Sequence, residues 1–239
     1  MPRYLVVIPT YNEAENLPDL VRDIFSLDLE EVGVLIVDDA SPDGTGQVAE
    51  RLAAQYPGRM DILHRKRKDG LGTAYLQGFR YGLDSDARII IQMDADFSHP
   101  ASQITQFLKL IETNDVVIGS RYVPGGTVYS NRAVTRRFLS WLSNSLMARL
   151  ILGGRIKDAT SGFRCWRSDA LRAIGLERIR SKGYIFQVEM CRAAQKRGLR
   201  IVETPIYFGV RRCGKSKMCF DIQLEAVIWF FRQLFRPSD

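Results

Sequence analysis

Short apolar runs alternate with amphipathic segments through the first half of the chain, and this alternation restricts the fold more than any other feature. Five runs rich in Val, Ile and Leu are predicted to be strands, at residues 4–9, 32–39, 60–64, 88–94 and 115–120. Four intervening segments place apolar residues at helical spacing, at residues 17–25, 43–56, 70–83 and 102–112. Apolar runs separated by helices indicate parallel strands covered on both faces. We therefore predict a doubly wound, mostly parallel α/β sheet with flanking helices over residues 1–121.

The second half of the chain is less regular. Residues 134–152 and 221–235 are predicted to be amphipathic helices, and residues 200–210 one or two strands broken at Pro205. No internal repeat, low-complexity segment or linker separates the halves. We therefore expect residues 1–239 to form a single domain.

Composition limits the partners and the compartment. The formal net charge of +7 favours an anionic partner, namely a phosphate, a nucleic acid or an acidic membrane surface. The four cysteines form no CxxC pair and have no neighbouring His cluster, which argues against zinc and for thiols in a reducing cytosol. No apolar run approaches the roughly 20 residues that span a bilayer, and we expect neither a signal peptide nor a transmembrane helix.

Two carboxylates stand directly after the fourth predicted strand. Asp94 and Asp96 are separated only by Ala95, and Ser98 and His99 follow. Paired carboxylates at a strand end suit a hard divalent cation whose other ligands are phosphate oxygens, and the Ser98 hydroxyl offers a further oxygen. The alternative is that the acids cap the next helix, but two acids around one small residue favour the metal or ligand site.

Polar residues also follow the first two predicted strands. Asp38 and Asp39 could accept hydrogen bonds from a ribose or a base, and Tyr11 offers a ring for a base to stack on. The alternatives are an ordinary turn at the two acids and helix capping by Asn12. In GLGTAY (70–75), the glycines could let main-chain N–H groups approach a phosphate at a helix N-terminus.

Basic residues form three groups, at Arg121, at residues 132–137 and at residues 211–217. Arg136 and Ser140 are four residues apart and share one face of a helix. A forked guanidinium beside a hydroxyl suits a phosphate, whereas the alternative is that these side chains are only solvated. The amphipathic segments nearby could lie in a bilayer interface, or they could pack on the sheet.

Together these motifs resemble the polyprenol-phosphate (dolichol-phosphate) mannosyltransferases of glycosyltransferase family 2. The matching stretches are IPTYNE (8–13), VDDASPDGT (37–45), GLGTAY (70–75), MDADFSHP (93–100), GSRY (119–122), TSGFR (160–164) and GKSKM (214–218). The resemblance implies a GT-A fold, a divalent metal (Mg or Mn) and inverting transfer of a hexose. The transfer it implies is of mannose from GDP-mannose to a polyprenyl or dolichyl phosphate.

The resemblance also implies roles for particular residues. The expected donor-binding set is Pro9, Tyr11, Glu13, Val37, Asp39, Asp94, Ala95, Asp96, Arg211 and Lys217. The expected acceptor-phosphate set is Arg121, Arg136 and Ser140. The expected metal ligands are Asp96 and Ser98, although relatives often carry the longer Gln at the Ser98 position and a water could intervene. Asp94, Asp96 and Arg121 are the expected catalytic residues, and we also expect Glu189 to face the sugar.

These roles divide the catalytic domain into a nucleotide-sugar half (1–121) and an acceptor half with interfacial helices (122–239). Many relatives carry transmembrane helices after this domain, and we find none here. The expected location is therefore peripheral, on the cytoplasmic face of a membrane, with a separate membrane-anchoring subunit as a further candidate partner.

Three alternatives remain from the residues alone. The nearest is the same chemistry with UDP-glucose, because the acidic motifs do not decide base or sugar. The second is a phosphate-accepting signalling domain, since VDDAS (37–41) is similar to the acid pair of response regulators; such a domain would leave Asp94 and Asp96 unexplained. The third is a nucleic-acid-binding module, suggested by charge, which acidic strand ends oppose.

Overall fold

The computed structural model describes residues 3–29, 31–128, 152–209 and Trp229. The two amphipathic helices expected at 134–152 and 221–235 lie outside these residues, apart from Leu152 and Trp229. The first half contains the strands β1 (Tyr4–Thr10), β2 (Val32–Asp38), β3 (Met60–His64), β4 (Ile89–Gln92) and β5 (Val116–Ser120). Its helices are α1 (Leu17–Phe25), α2 (Thr45–Gln55), α3 (Leu71–Asp84) and α4 (Gln103–Leu110). Every strand and helix predicted for this half is present.

The second half adds four strands and two helices within the described residues. They are β6 (Thr127–Val128), β7 (Arg164–Arg167), α5 (Ser168–Ile174), α6 (Phe186–Lys196), β8 (Ile201–Pro205) and β9 (Tyr207–Phe208). A 3₁₀ turn, Leu176–Arg178, separates α5 from α6. The predicted break at Pro205 is confirmed, because β8 ends there and β9 begins two residues later.

Seven strands form one sheet in the order β3-β2-β1-β4-β7-β5-β8, and β6 pairs with β9 in a separate two-stranded sheet. All neighbours in the large sheet are parallel except β7, which runs antiparallel between β4 and β5. β1 pairs with β2 on one side and with β4 on the other. Strand order therefore reverses at β1, which is where open α/β sheets bind ligands beyond their carboxyl ends.

Helices cover both faces of the large sheet, as the apolar strands required. Alternate residues of each strand face opposite sides, so that Val7 packs with α3, α5 and α6 and Val6 packs with α1, α2 and α4. The helix α3 lies especially close to the sheet. A Cβ atom on Gly78 or Gly82 would overlap Val7 or Ile90, so these glycines permit the close approach.

Strand β7 was not predicted, although it lies in the middle of the sheet. It has four residues, two of them arginines, and its Arg164 side chain is fully buried. The two halves of the chain therefore share one sheet and one core. Among the described residues, no helix combines the length and the apolarity needed to cross a bilayer.

Candidate active site

The loops after three adjacent strands turn sharply at the same edge of the sheet. Asn12 after β1, Ala40 after β2 and Phe97 after β4 have positive φ angles of 57°, 54° and 62°. Such angles are uncommon for residues other than glycine, and they mark tightly constrained turns. Because β1, β2 and β4 are parallel neighbours, the acidic and aromatic side chains of these loops meet at one edge, as the sequence predicted.

Asp94 is held through both its main chain and its side chain. The Tyr75 hydroxyl, from α3, donates to Asp94 Oδ1 at 2.7 Å. The Asp94 N–H donates to His99 Nδ1 at 3.1 Å. Gly162, in the TSGFR stretch, lies against the carboxylate, and a Cβ at that position would be 3.3 Å from Asp94 Oδ2. The Asp94 side chain is half-buried, and its orientation is fixed by these neighbours.

Asp96 and Ser98 form one local unit. Both the N–H and the hydroxyl of Ser98 donate to Asp96 Oδ1, the former at 3.1 Å. Both side chains are buried. The Ser98 hydroxyl therefore orients the Asp96 carboxylate by donating a hydrogen bond to it.

His99 lies in an aromatic and charged environment behind these acids. Its ring stacks on Phe163, with centroids 4.9 Å apart, and Phe208 packs against it edge-on at 5.7 Å. Since Nδ1 accepts the Asp94 N–H, a neutral His99 carries its proton on Nε2. Burial lowers the pKa of His99, although the charges of Asp94 and Asp96 act in the opposite direction. His99 is therefore a neutral support for the acidic loop near pH 7.

Arg121 joins this group, but much of its guanidinium is already engaged. Nε and Nη2 each donate to the Asp158 carboxylate at 2.7 Å, and Nη2 also donates to Thr160 Oγ1 at 2.8 Å. Burial opposes the charge of Arg121, yet Asp158 outweighs burial, so the pKa of Arg121 is raised. The guanidinium lies 5.3 Å from the Phe208 ring centre. Nη1 is the nitrogen that makes no hydrogen bond within the described part of the chain.

Electrostatics brings the strand-end acids and Arg121 into one site. The charges of Asp94, Asp96, Arg121 and Asp158 all act on His99, and the charge of Asp94 acts on Arg121. The phenyl ring of Phe208 contacts both His99 and Arg121. The two aspartates and the arginine after β5 therefore lie around the same histidine, His99.

A second group of contacts lies after β1 and β2. Asp39 is paired with the Arg65 guanidinium, which also donates to Thr73 Oγ1 at 2.7 Å. Burial raises the pKa of Asp39, and Arg65 acts against this rise. Lys68 Nζ lies 4.0 Å from the centre of the Tyr11 ring. One face of the Tyr11 ring is thus covered by a cation in this structure.

The other residues expected to bind the nucleotide-sugar donor differ in burial and in which of their atoms a ligand could reach. Glu13 is buried, and its carboxylate accepts from Asn16 Nδ2 at 2.8 Å. Pro9 is half-buried at the end of β1, in register with Val37. The side chains of Val37 and Ala95 pack in the core, so a contact with a donor would come from their main chain.

Two groups near α3 that were expected to face a ligand are engaged by the chain itself. The Gly72 N–H, in the first turn of α3, donates to the Lys182 carbonyl at 2.7 Å. A Cβ on Gly70 or Gly72 would lie 2.6 Å or 2.5 Å from the carbonyl oxygens of this segment, so the glycines serve close packing. Glu189, which was expected to face the sugar, accepts hydrogen bonds from the N–H groups of Arg180 and Ser181. It thereby holds the segment of residues 180–182 that packs on the start of α3.

The oxygen donors at the end of β4 suit a hard divalent cation that takes most of its ligands from elsewhere. Among the described residues, no group of three or more His, Cys, Asp or Glu side chains is placed to hold a metal. The Asp94 and Asp96 carboxylates alone match an ion such as Mg²⁺, which is commonly bound by one or two carboxylates with substrate phosphates and waters. The residues therefore fit a cation that arrives with a diphosphate.

Four expected site residues, namely Arg136, Ser140, Arg211 and Lys217, lie outside the described residues. The segments that carry them follow β6 and β9, at residues 129 and 210. These two strands are parallel neighbours, and their pairing places Val128 beside Phe208. The Gly209 N–H donates to the Ser98 carbonyl at 3.2 Å. Both segments that carry the four residues thus begin next to the acidic loop and Arg121.

Comparison with known proteins identifies the family. A family model described as glycosyl transferase family 2 matches residues 5–175. The chain belongs to this family. It is 48% identical over 229 residues to the undecaprenyl-phosphate mannosyltransferase of Micrococcus luteus, covering 95% of this chain and 91% of that protein. It is 45% identical over 217 residues to the polyprenol monophosphomannose synthase of Mycolicibacterium smegmatis, covering 90% of this chain and 81% of that protein.

Solved structures of glycosyltransferases share the fold at low sequence identity. Glucosyl-3-phosphoglycerate synthase from Mycobacterium tuberculosis, crystallised with Mn²⁺, UDP and phosphoglyceric acid, has a TM-score of 0.72 at 16% identity, covering 100% of this chain and 80% of its own. A mannosyltransferase from Pyrobaculum calidifontis, in complex with GDP-Man and Mn²⁺, has a TM-score of 0.58 at 20% identity, covering 89% of this chain and 58% of its own. The GT-A fold predicted for this family 2 glycosyltransferase is confirmed.

Sequence reasoning missed the residues that support the site of this glycosyltransferase. Tyr75, Arg65, Lys68 and Asp158 were not proposed, although Tyr75 lies within GLGTAY and Asp158 stands just before TSGFR. Each acts through a partner that is distant along the chain: Tyr75 is 19 positions from Asp94, and Asp158 is 37 positions from Arg121. Sequence motifs indicated where such residues lie but not which side chains they contact.

Proposed function

We propose that this enzyme transfers mannose from GDP-mannose to a polyprenyl phosphate, with inversion at the anomeric carbon. The observation that carries the chemistry is the convergence of Asp94, Asp96 and Arg121 around His99 at the strand-order reversal of the sheet. The choice of mannose and polyprenyl phosphate is supported by the names of the Micrococcus luteus and Mycolicibacterium smegmatis relatives, which this chain matches over nearly its whole length. The GDP-Man complex of the structurally similar mannosyltransferase from Pyrobaculum calidifontis supports the choice of donor.

The donor is proposed to bind across the ends of β1, β2 and β4. Pro9, Tyr11, Glu13 and the main chain at Val37 and Ala95 would form the nucleotide side, with Asp39 accepting from the ribose or base. Asp94 and Asp96 would face the sugar and diphosphate. Arg211 follows Gly209 by two residues, which span at most about 7 Å, and Gly209 is bonded to Ser98. This connection supports the proposal that Arg211 and Lys217 neutralise the diphosphate.

The acceptor phosphate is proposed to bind at Arg121, Arg136 and Ser140. Because Asp158 occupies Nε and Nη2 of Arg121, Nη1 is the donor left for a phosphate oxygen. The second pKa of a phosphate monoester is about 6, so the acceptor is largely a dianion at pH 7 and needs no general base. His99 Nδ1 is committed to the Asp94 N–H, in agreement with a mechanism that withdraws no proton from the acceptor.

The protein's task is then to align two anions and offset their repulsion. A divalent cation held at Asp96, with Ser98 orienting that carboxylate, would stabilise the negative charge that develops on the leaving diphosphate. Arg121 would hold the attacking oxygen in line with the anomeric carbon. The lipid acceptor places the enzyme at a membrane surface. We propose the cytoplasmic face, where a separate anchoring subunit would be compatible with this arrangement.

A donor panel tests the proposed function. The enzyme should transfer labelled sugar from GDP-mannose to a short-chain polyprenyl phosphate at least tenfold faster than from GDP-glucose or UDP-glucose, because the similar enzymes are named for mannose transfer. Comparing GDP-glucose with the other two donors separates the effect of the sugar from that of the base. Transfer is measured as label recovered in the lipid phase. Faster transfer from UDP-glucose would replace the proposal by a glucosyltransferase, and acyl-phosphate uptake without any sugar transfer would favour a signalling domain.

The cation should bind tightly only together with the nucleotide. With two carboxylates as protein ligands, Mn²⁺ alone should bind with a dissociation constant of about 1 mM or weaker, and GDP should tighten binding by about tenfold or more. Isothermal titration of Mn²⁺ with and without GDP measures both values. GMP is the matched control, because it lacks the β-phosphate. Micromolar binding of Mn²⁺ without nucleotide would show that the ion has further protein ligands.

A further inference from the structure

A buried tyrosine contacts one of the two acids of the site. Tyr75 is fully buried in α3, and its hydroxyl donates to Asp94 Oδ1 at 2.7 Å. The tyrosine makes this contact from beneath the site, since its whole side chain lies in the core between α3 and the sheet. It therefore acts on the carboxylate rather than on a substrate.

The Tyr75 ring has little freedom to move. It lies parallel to Phe186, with centroids 6.1 Å apart and an interplanar angle of 5°, and it packs against Phe79 at 5.9 Å. The first turn of α3 is fastened to residues 181–182 by the Gly72 N–H and by the ion pair between Lys182 and Asp69, at 2.9 Å. The position of the hydroxyl is thus set by packing between α3 and α6.

The other contacts of Asp94 fix its main chain and close one side, but they do not fix the rotation of its carboxylate plane. His99 accepts the Asp94 N–H, and Gly162 lies against both oxygens, its Cβ position being 3.3 Å from Oδ2 and 3.5 Å from Oδ1. The two oxygens are chemically equivalent, so what can vary is the direction of this plane, which turns about the last side-chain bond. The hydrogen bond from Tyr75 is the directional contact that fixes it.

We propose that Tyr75 is a positioning residue, which fixes the Asp94 carboxylate so that Oδ2 is presented to the sugar nucleotide. This inference rests on the proposed function, in which Asp94 contacts the donor. It extends that function by assigning the donor's alignment to a residue that does not touch it. Partners that orient a ligand-binding carboxylate commonly change affinity or activity by about 10- to 100-fold when they are removed.

The variant Tyr75→Phe removes the hydroxyl and leaves the ring. It should lower kcat/KM for GDP-mannose by about 10- to 100-fold and leave the KM for polyprenyl phosphate within about twofold. Tyr81→Phe is the matched control, because Tyr81 lies on the same helix and donates to Asp61 Oδ2 at the same 2.7 Å, outside the site. Tyr81→Phe should keep donor kinetics within about twofold of the wild type.

A double-mutant cycle separates positioning from a general loss of packing. The dissociation constant of GDP-mannose is measured by titration for the wild type, Tyr75→Phe, Asp94→Ala, which removes the acceptor of the tyrosine hydroxyl, and the double variant. If Tyr75 acts through Asp94, Tyr75→Phe should weaken binding in the wild-type background and change it by less than about twofold in the Asp94→Ala background. Equal effects in both backgrounds, or kinetics of Tyr75→Phe that match Tyr81→Phe, would overturn the inference.

These outcomes are distinct from a failure of the proposed function. A wild-type enzyme that prefers UDP-glucose would overturn the proposed donor, and the same cycle would then be measured with UDP-glucose. Unchanged donor binding in Asp94→Ala would remove the donor role of Asp94, and the positioning role of Tyr75 with it. Melting temperatures of both tyrosine variants, measured in parallel, show whether a kinetic loss merely follows from unfolding.

Discussion

Replacing Asp96 by Asn should reduce mannosyl transfer by about a thousandfold while the protein stays folded. The Asn side-chain oxygen can still accept the N–H and the hydroxyl of Ser98, so the local turn is kept. What the variant loses is the negative charge that would hold the cation. Charge stabilisation by a bound metal is worth several kcal/mol, and about 4 kcal/mol corresponds to a factor of about a thousand. Initial rates at saturating Mn²⁺ and donor measure the loss.

Asp84→Asn is the control for this change. Asp84 is exposed at the last residue of α3, where removing a negative charge is harmless to the helix. The dissociation constant of Mn²⁺ in the presence of GDP should rise for Asp96→Asn and stay constant for Asp84→Asn. Should Asp96→Asn keep more than a tenth of the wild-type rate, the assignment of the cation to Asp96 would be wrong.

The second large effect is expected on stability, at Arg164. This arginine is fully buried, and its three hydrogen bonds at 2.7–2.8 Å go to the carbonyls of Ala159, Ser161 and Gln187. Arg164→Met keeps the length of the side chain and removes all three of these buried hydrogen bonds. Each such loss costs about 1–3 kcal/mol, so the free energy of unfolding should fall by about 3–5 kcal/mol and the melting temperature by about 10 °C.

Differential scanning calorimetry measures this loss, and Arg172→Met is the control. Arg172 is exposed and its closest carboxylate, Asp169, is 3.7 Å away, so its removal should change stability by no more than about 0.5 kcal/mol. The Arg164 bonds join the TSGFR loop, which lies against Asp94, to the first turn of α6. A melting temperature of Arg164→Met within 2–3 °C of the wild type, roughly 1 kcal/mol, would show that these carbonyls find other donors.

The sequence predicted the first half of the fold closely because hydrophobic burial determines it there. Strands β1, β2, β4 and β5 are mostly apolar and buried, since helices cover both faces, and such runs are recognisable without tertiary information. Strand β7 was missed for the opposite reason. Its arginine at position 164 is buried by hydrogen bonds to distant carbonyls, so the local pattern reads as polar although the strand is central.

The acids of the site were predicted, but their partners were not. Asp94 and Asp96 stand at a strand end, and topology brings strand ends together, so their convergence with Arg121 followed from the fold class. The contacts from Tyr75 to Asp94 and from Asp158 to Arg121 depend on packing between distant segments. The packing of GLGTAY was not predicted, because a glycine that admits a phosphate and a glycine that admits a neighbouring backbone have the same sequence signature, and Gly70 and Gly72 lie against the backbone of residues 181–182.

The closed N-terminus of α3 has a consequence for how the enzyme must grip its donor. Many nucleotide-binding folds cradle the pyrophosphate with the amides and the dipole of the first crossover helices. Here the Lys182 carbonyl takes the Gly72 N–H in the first turn of α3. Because this N–H is engaged, α3 contributes less to holding a negatively charged donor, and more of that charge is left to ions and exposed side chains, whose attraction is screened by salt. Sugar-nucleotide affinity in this architecture is thus a property of its ionic surroundings as much as of its scaffold.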